Sequence, residues 1–311
     1  MSKALVVIKS MGIGDLVILI PNIHALSKSM NKSVVVLAQK NTHAAEILKY
    51  DPHVEEVIEL DKKGFFNIIK KIKPRKFDKS YIYSDSVRLY LISKFSMIEN
   101  IFHYKFFSKK GKNFFKTAKE FTEKILNQKI EVQPKIYCDD KDIEQAKKKY
   151  AISDKTKNIV CGISASGPTK RWDIKNYIKL FENINKKLQC KFFLAGGPND
   201  EDLINEVMNS SIGKNCLSFS KMSIRETLPI INSCNFCISN DTGFAHISSA
   251  MGLKSLLLFM DSPPLAYGAY SKNISIIVPE GESVDSCKHN TRGKDKISFN
   301  NVLNKTLEIL S

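Results

Sequence analysis

Ser239-Asn240-Asp241-Thr242-Gly243-Phe244-Ala245-His246 reads as a strand turning into a helix. Residues 235–238 before it form a short apolar run of the kind that makes a buried strand. Residues 247–252 after it are small and apolar and end on Gly252, a helix stop. Asp241 and Thr242 therefore stand where a first helical turn leaves backbone N–H groups bare, at the positive end of the helix dipole. Gly243 lets a ligand come close to the backbone. His246 follows Thr242 by four residues, one turn along on the same face. Two readings fit. In one, a hydroxyl, bare N–H groups and an imidazole converge on a diphosphate. In the other, Asp241 or Thr242 caps the helix and His246 packs.

Working outward, the chain alternates strand and helix on both sides of this stretch. Residues 3–9, 33–38, 54–60 and 79–83 read as strands, with helices at 16–30, 42–50 and 65–72. Residues 88–126 read as two helices around a strand near 97–102. A connector with Pro134 covers 131–139, and 140–150 is a charged helix. The pattern restarts with strands at 158–163, 191–195, 216–219, 255–259 and 273–278, helices at 174–188, 201–208 and 223–231, and a closing amphipathic helix at 299–310. Such alternation makes parallel sheets covered by helices on both faces. The expected fold is α/β, two Rossmann-like domains at 1–150 and 151–311, each with its ligand edge at the carboxyl ends of its strands.

A chain of 311 residues fits two domains better than one. It has no run of 18 apolar residues that would span a bilayer. The apolar stretch at 4–8 is too short for a signal peptide. Seven scattered cysteines fit reduced thiols in a cytoplasm rather than a disulfide framework. Cys234 and Cys237 form a lone C-x-x-C with no second ligand pair for zinc. The net charge of +16 is uneven: residues 62–129 hold 18 Lys and Arg against 5 Asp and Glu, which leaves only +3 for the rest of the chain. That segment is also rich in Phe and Tyr. Basic and aromatic residues together suit nucleic acid, an acidic lipid surface or a phosphorylated glycolipid. Aromatics that simply fill a core beside surface lysines would give the same composition.

Candidate site residues lie at the expected strand ends. Asp15 follows Gly12 and Gly14 at a helix start; it could take a proton from a hydroxyl nucleophile or serve as a helix cap. The glycines match two places of a G-x-G-x-x-G loop, but Val17 fills the third. In the second half, Ser164, Ser166, Thr169 and Lys170 make a hydroxyl-rich loop with one cation, suited to phosphate oxygens. Asp200 follows the Gly196-Gly197-Pro198 turn, where an acid commonly bonds a ribose hydroxyl, or caps the next helix. Asp140-Lys141-Asp142 and Asp200-Glu201-Asp202 are D-x-D strings, yet neither sits as a metal site on a strand end.

Taken together, these motifs resemble glycosyltransferase family 9, the heptosyltransferases of lipopolysaccharide core synthesis. Gly14-Asp15 through Pro21 resembles the family's opening G-D-x-x-x-x-x-P. Lys170-Arg171-Trp172 resembles its K-x-W loop, and Gly196-Gly197-Pro198-Asn199-Asp200 its second-half glycine turn. Asp241-Thr242-Gly243-x-x-His246 resembles its most specific signature, and residues 259–270 the loop that follows. The resemblance implies a GT-B fold, two Rossmann-like domains facing across a cleft, with the closing helix packed back on the first. It implies inverting, metal-independent transfer from a nucleotide-sugar, ADP-heptose being the best-known donor, to an anionic glycolipid acceptor. No cofactor is implied, and the place of work is the cytoplasm, at the inner face of the inner membrane. Asp15 would be the base. Ser166 and Lys170 would bind phosphate, Asp200 the ribose, and Asp241, Thr242, Gly243 and His246 the donor diphosphate. Departures are Ser10-Met11-Gly12 in place of a serine pair, Met260 in place of glycine, and Asp200 where glutamate is common. Alternatives are a nucleic-acid or anionic-polymer binder using 62–129, and a GT-B nucleotide-sugar epimerase.

Overall fold

The computed structural model describes residues 3–9, 12–60, 64–104 and 113–311. Ser10 and Met11 of the first loop, and Lys62, Lys63 and positions 105–112 of the basic segment, lie outside the described residues. The chain forms two compact units that divide between Tyr137 and Cys138.

The first unit holds β1 (Ala4–Ile8), α1 (Ile13–Met30), β2 (Val34–Gln39), α2 (Ala44–Ile47), β3 (Val54–Leu60), α3 (Phe65–Ile72), β4 (Lys79–Tyr83), α4 (Val87–Phe95), β5 (Asn100–His103) and α5 (Phe114–Leu126). Its strands are parallel, in the order β3-β2-β1-β4-β5. β1 is ALVVI and wholly buried, as a parallel strand covered on both faces must be. Ile8 pairs with Ala38 on one side and Tyr83 on the other, so strand order reverses at β1. Beneath the sheet, Tyr83 Oη lies 2.7 Å from Thr122 Oγ1, which lies 2.7 Å from Asn22 Oδ1 and ties β4, α5 and α1 together. The helix expected at 42–50 is broken. His43 takes a left-handed φ of 53°, so a turn at Lys40–Thr42 is separated from α2.

The second unit holds α6 (Asp140–Lys149), β6 (Lys157–Gly162), α7 (Ile174–Asn185), β7 (Cys190–Ala195), α8 (Glu201–Met208), β8 (Cys216–Ser218), α9 (Ile224–Asn232), β9 (Phe236–Asn240), α10 (Gly243–Ala250), β10 (Lys254–Leu258), α11 (Pro264–Tyr267), β11 (Ile274–Ile277) and α12 (Phe299–Leu310). Its six parallel strands run β11-β10-β9-β6-β7-β8 and reverse between β6 and β9. Ser223 and Glu226 form a reciprocal capping box that starts α9. The expected boundary at 150 differs from the observed one because α6 packs on α9, where Arg225 Nη2 meets Asp142 Oδ2 at 2.7 Å. The closing helix also differs from expectation. Val302 and Leu310 of α12 belong to the core of the second unit, and Phe299 stacks on Trp172 with centroids 6.2 Å apart. Among the described residues no helix is long and apolar enough to cross a membrane.

Candidate active site

Strand order in the second unit reverses between β6 and β9, so the connections leaving their carboxyl ends run to opposite sides of the sheet, the switch point at which such folds form a crevice. β6 ends on Gly162 and β9 on Asn240. Gly162 is opposite Ser239, and a Cβ on it would fall 1.8 Å from Ser239 Oγ and 3.1 Å from Thr242 Oγ1. Only glycine fits there.

Asn240 is fully buried and holds the crevice's walls together. Its Nδ2 donates to the carbonyls of Ile163 (3.0 Å) and Ser164 (3.2 Å), and its Oδ1 accepts from Tyr177 Oη (3.0 Å) and Trp172 N (3.2 Å). The loop 164–172 is thus pinned at both ends. Between them, Arg171 bonds the Ala165 carbonyl through Nε and Nη2, and Thr169 Oγ1 donates to Asp261 Oδ2 at 2.6 Å. Lys170 closes the turn Pro168–Lys170 close enough to lower the proton affinity of both Asp241 and Asp261. Ser166 is exposed on the same loop.

Neither residue that could have capped α10 does so. Thr242 is the N-cap in extended conformation (φ −139°, ψ 163°) but makes no side-chain cap bond; its hydroxyl lies 3.1 Å from Ser239 Oγ. Asp241 accepts instead from Ser262 Oγ at 2.6 Å, and its other oxygen lies 3.4 Å from His246 Nε2. The helix therefore opens at Gly243 with no side chain over its first N–H groups, the arrangement that receives an anion.

His246 packs, as one of the two sequence readings has it. It is 3% exposed, stacks on Tyr270, and has Nδ1 2.8 Å from Tyr270 Oη. Helical side chains lean toward the N-terminus, so the ring reaches back to the Asp241 carboxylate and not outward. Burial raises the phenol of Tyr270, which stays protonated and can donate to Nδ1, leaving Nε2–H for Asp241. Burial alone would raise Asp241 as well, but His246, Ser262 and Lys170 outweigh it and hold this carboxyl below the usual range. His246 positions an anionic Asp241 in this structure. Asp200 closes the turn before α8, accepting from Gly197 N at 3.0 Å, with its other oxygen 3.5 Å from Arg171 Nη2. Two oxygens carry about four lone-pair sites, so both contacts leave room for a ligand hydroxyl.

In the first unit, Gly12 is the N-cap of α1 and Asp15 is the third residue of the helix, in its first turn and partly exposed. It is not the cap. In the same unit, Lys9, Gln39 and Leu60 at strand ends join Ile68, Ser86, Arg88 and Leu89 around a cavity of about 290 Å³. From the sequence no role was assigned to this pocket or to Asn240, Asp261, Ser262 and Tyr270. Asn240 was adjacent to the signature, and its amide at a buried strand end was the only signal available.

The model of glycosyltransferase family 9 (heptosyltransferase) matches residues 111–297, more than half of the chain. The chain belongs to glycosyltransferase family 9. This family 9 member is 26% identical over 138 residues to lipooligosaccharide heptosyltransferase 2 of Haemophilus influenzae, a match covering 43% of this chain and 40% of that one. It is 24% identical over 206 residues to lipopolysaccharide heptosyltransferase 1 of Campylobacter coli, covering 63% and 60%. The matches thus span less than two thirds of either relative's length. The solved E. coli ADP-heptose lipopolysaccharide heptosyltransferase II shares the fold over 99% of this chain and 98% of its own, with a TM-score of 0.79 at 16% identity. The family 9 chain has the GT-B architecture of two parallel α/β units. The family's K-x-W loop falls on the segment pinned by Asn240, and its D-T-G-x-x-H signature on the uncapped start of α10.

Proposed function

We propose that the protein is an inverting glycosyltransferase that moves a sugar, heptose from ADP-heptose in the leading reading, onto an anionic glycolipid acceptor. The observation that carries this is the uncapped N-terminus of α10 at the strand crossover, with Lys170 held beside it. The E. coli structure of the same fold is that of an enzyme named for ADP-heptose. In the proposed reaction the Asp15 carboxylate takes the proton from an acceptor hydroxyl. That oxygen forms the new bond at the anomeric carbon as the bond to the diphosphate breaks. Lys170 and the first N–H groups of α10 stabilise the negative charge on the departing diphosphate. Lys9 and Arg88, which line the first-unit cavity, supply cations for the acceptor's phosphate or carboxylate groups.

Transfer is proposed to need no metal. Asp142 of one D-x-D string is paired with Arg225, and Asp200 of the other closes its own turn. Asp15→Ala should lower transfer by roughly 10²–10⁴-fold while ADP still raises the melting temperature. Lys170→Ala should weaken both. Full transfer by Asp15→Ala would remove the base assignment, and loss of activity in EDTA restored by a divalent ion would remove metal independence.

A further inference from the structure

The first unit carries an apolar surface that the proposed reaction does not use. α4 is apolar on two sides. Leu89 and Ile92 face the core, while Val87, Leu91 and Phe95 are exposed. A surface helix needs one apolar stripe, on its core side, yet this one carries a second that faces water. Phe95 is 59% exposed and Met97, just beyond the helix, 72%. From α3, Phe66 is 73% exposed and joins them through an edge-on chain, with Phe66 and Phe65 centroids 5.4 Å apart and Phe65 and Phe95 5.8 Å. Lone exposed apolar residues are ordinary, but a connected set of aromatic, Leu and Met side chains marks a contact surface.

The charge around this strip decides the partner. Residues 64–104 carry eight Lys and Arg against three Asp and Glu. Lys70 and Lys71 on α3 and Lys94 on α4 are exposed and form no ion pair with any described residue. Apolar side chains rimmed by unpaired cations complement a bilayer with acidic headgroups: the rings enter the interface and the ammonium groups meet the phosphates.

We propose that the α3–α4 face is a docking surface for an anionic lipid bilayer, with Phe66, Phe95, Leu91 and Met97 entering the headgroup layer. The face lies outside the nucleotide crevice, and the proposal stands apart from the transferase reading.

Flotation of the full-length protein with vesicles tests it without any substrate. At low salt the protein should float with vesicles containing phosphatidylglycerol and should bind phosphatidylcholine alone at least tenfold more weakly. Phe66→Ser/Phe95→Ser should cut binding at least tenfold with unchanged circular dichroism and melting temperature. Lys70→Glu/Lys94→Glu should remove the preference for the acidic lipid. A third variant, Phe66→Trp, should give indole fluorescence that shifts to the blue on vesicles, against a buried Trp172 background that does not move. Absence of flotation at low salt, or equal flotation of the double Phe variant, would overturn the proposal. So would a dimer on gel filtration that the Phe66→Ser/Phe95→Ser change dissolves, because the strip would then be a contact between copies.

Discussion

The floor of the β6–β9 crossover has no space for a single added carbon. Gly162→Ala would place Cβ 2.7 Å from Ser239 Cβ as well as 1.8 Å from its oxygen. The substitution should cost about 1–3 kcal/mol by overpacking, lower the melting temperature and weaken ADP binding as Thr242 is displaced. Gly162→Ala/Ser239→Gly should recover most of the loss; no recovery would mean the strain lies elsewhere. Asp241 adds a pH signature. Its folded-state carboxyl is held below the ordinary value, so its stabilising effect is present above the ordinary carboxylate range and disappears as pH falls through the depressed value. Asp241→Asn should therefore melt lower than the parent at neutral pH, and the two melting curves should converge in acid. A gap independent of pH would show that charge is not what Asp241 contributes. At this scale the sequence brought Asp241, Thr242 and His246 to one helix start but did not give their directions. His246 falls in the signature, but a one-turn spacing says only which face it is on, not that Tyr270 would hold the ring inward.

Among elements, those with strong apolar periodicity were legible: β1, β9, α7 and α12 lie where the pattern puts them. The misses have local causes. α1 begins at Ile13, with Gly12 as an extended N-cap, which puts Asp15 inside the helix. The 42–50 helix fails at one left-handed residue, His43, whose backbone state no apolar pattern records. The destination of α12 was set by Trp172 and α7, a tertiary matter of which core offers an aromatic shelf. The pinned loop 164–172 depends on Asn240, which serves two carbonyls, one backbone N–H and one phenol. Each buried group left without its partner costs about 1–3 kcal/mol, so Asn240→Ala should be among the most destabilising single changes outside the apolar core. It should also reduce ADP affinity. Normal affinity in a less stable protein would mean that the loop keeps its shape unaided.

For the whole molecule, the two-domain plan was readable from the restart of strand–helix alternation. The border was not, because α6 looks the same whichever unit it joins. Trp172 is the sole tryptophan and sits in the core of the second unit, so its fluorescence follows that unit, whereas far-ultraviolet dichroism follows both. With ADP at about 100 times its dissociation constant, linkage predicts a gain of about 2.7 kcal/mol for the unit that binds it. The fluorescence midpoint in urea should rise accordingly; an unmoved midpoint would place nucleotide binding outside the second unit. The cysteines extend this asymmetry into covalent chemistry. All seven lie between Cys138 and Cys287, none is exposed, and burial raises every thiol, Cys138 to about 11 and Cys216 to about 12. An alkylating reagent at neutral pH would find almost no thiolate on the native protein. Each mass increment it adds would timestamp an opening of the carboxyl-terminal half, while the amino-terminal half stays silent to the reagent.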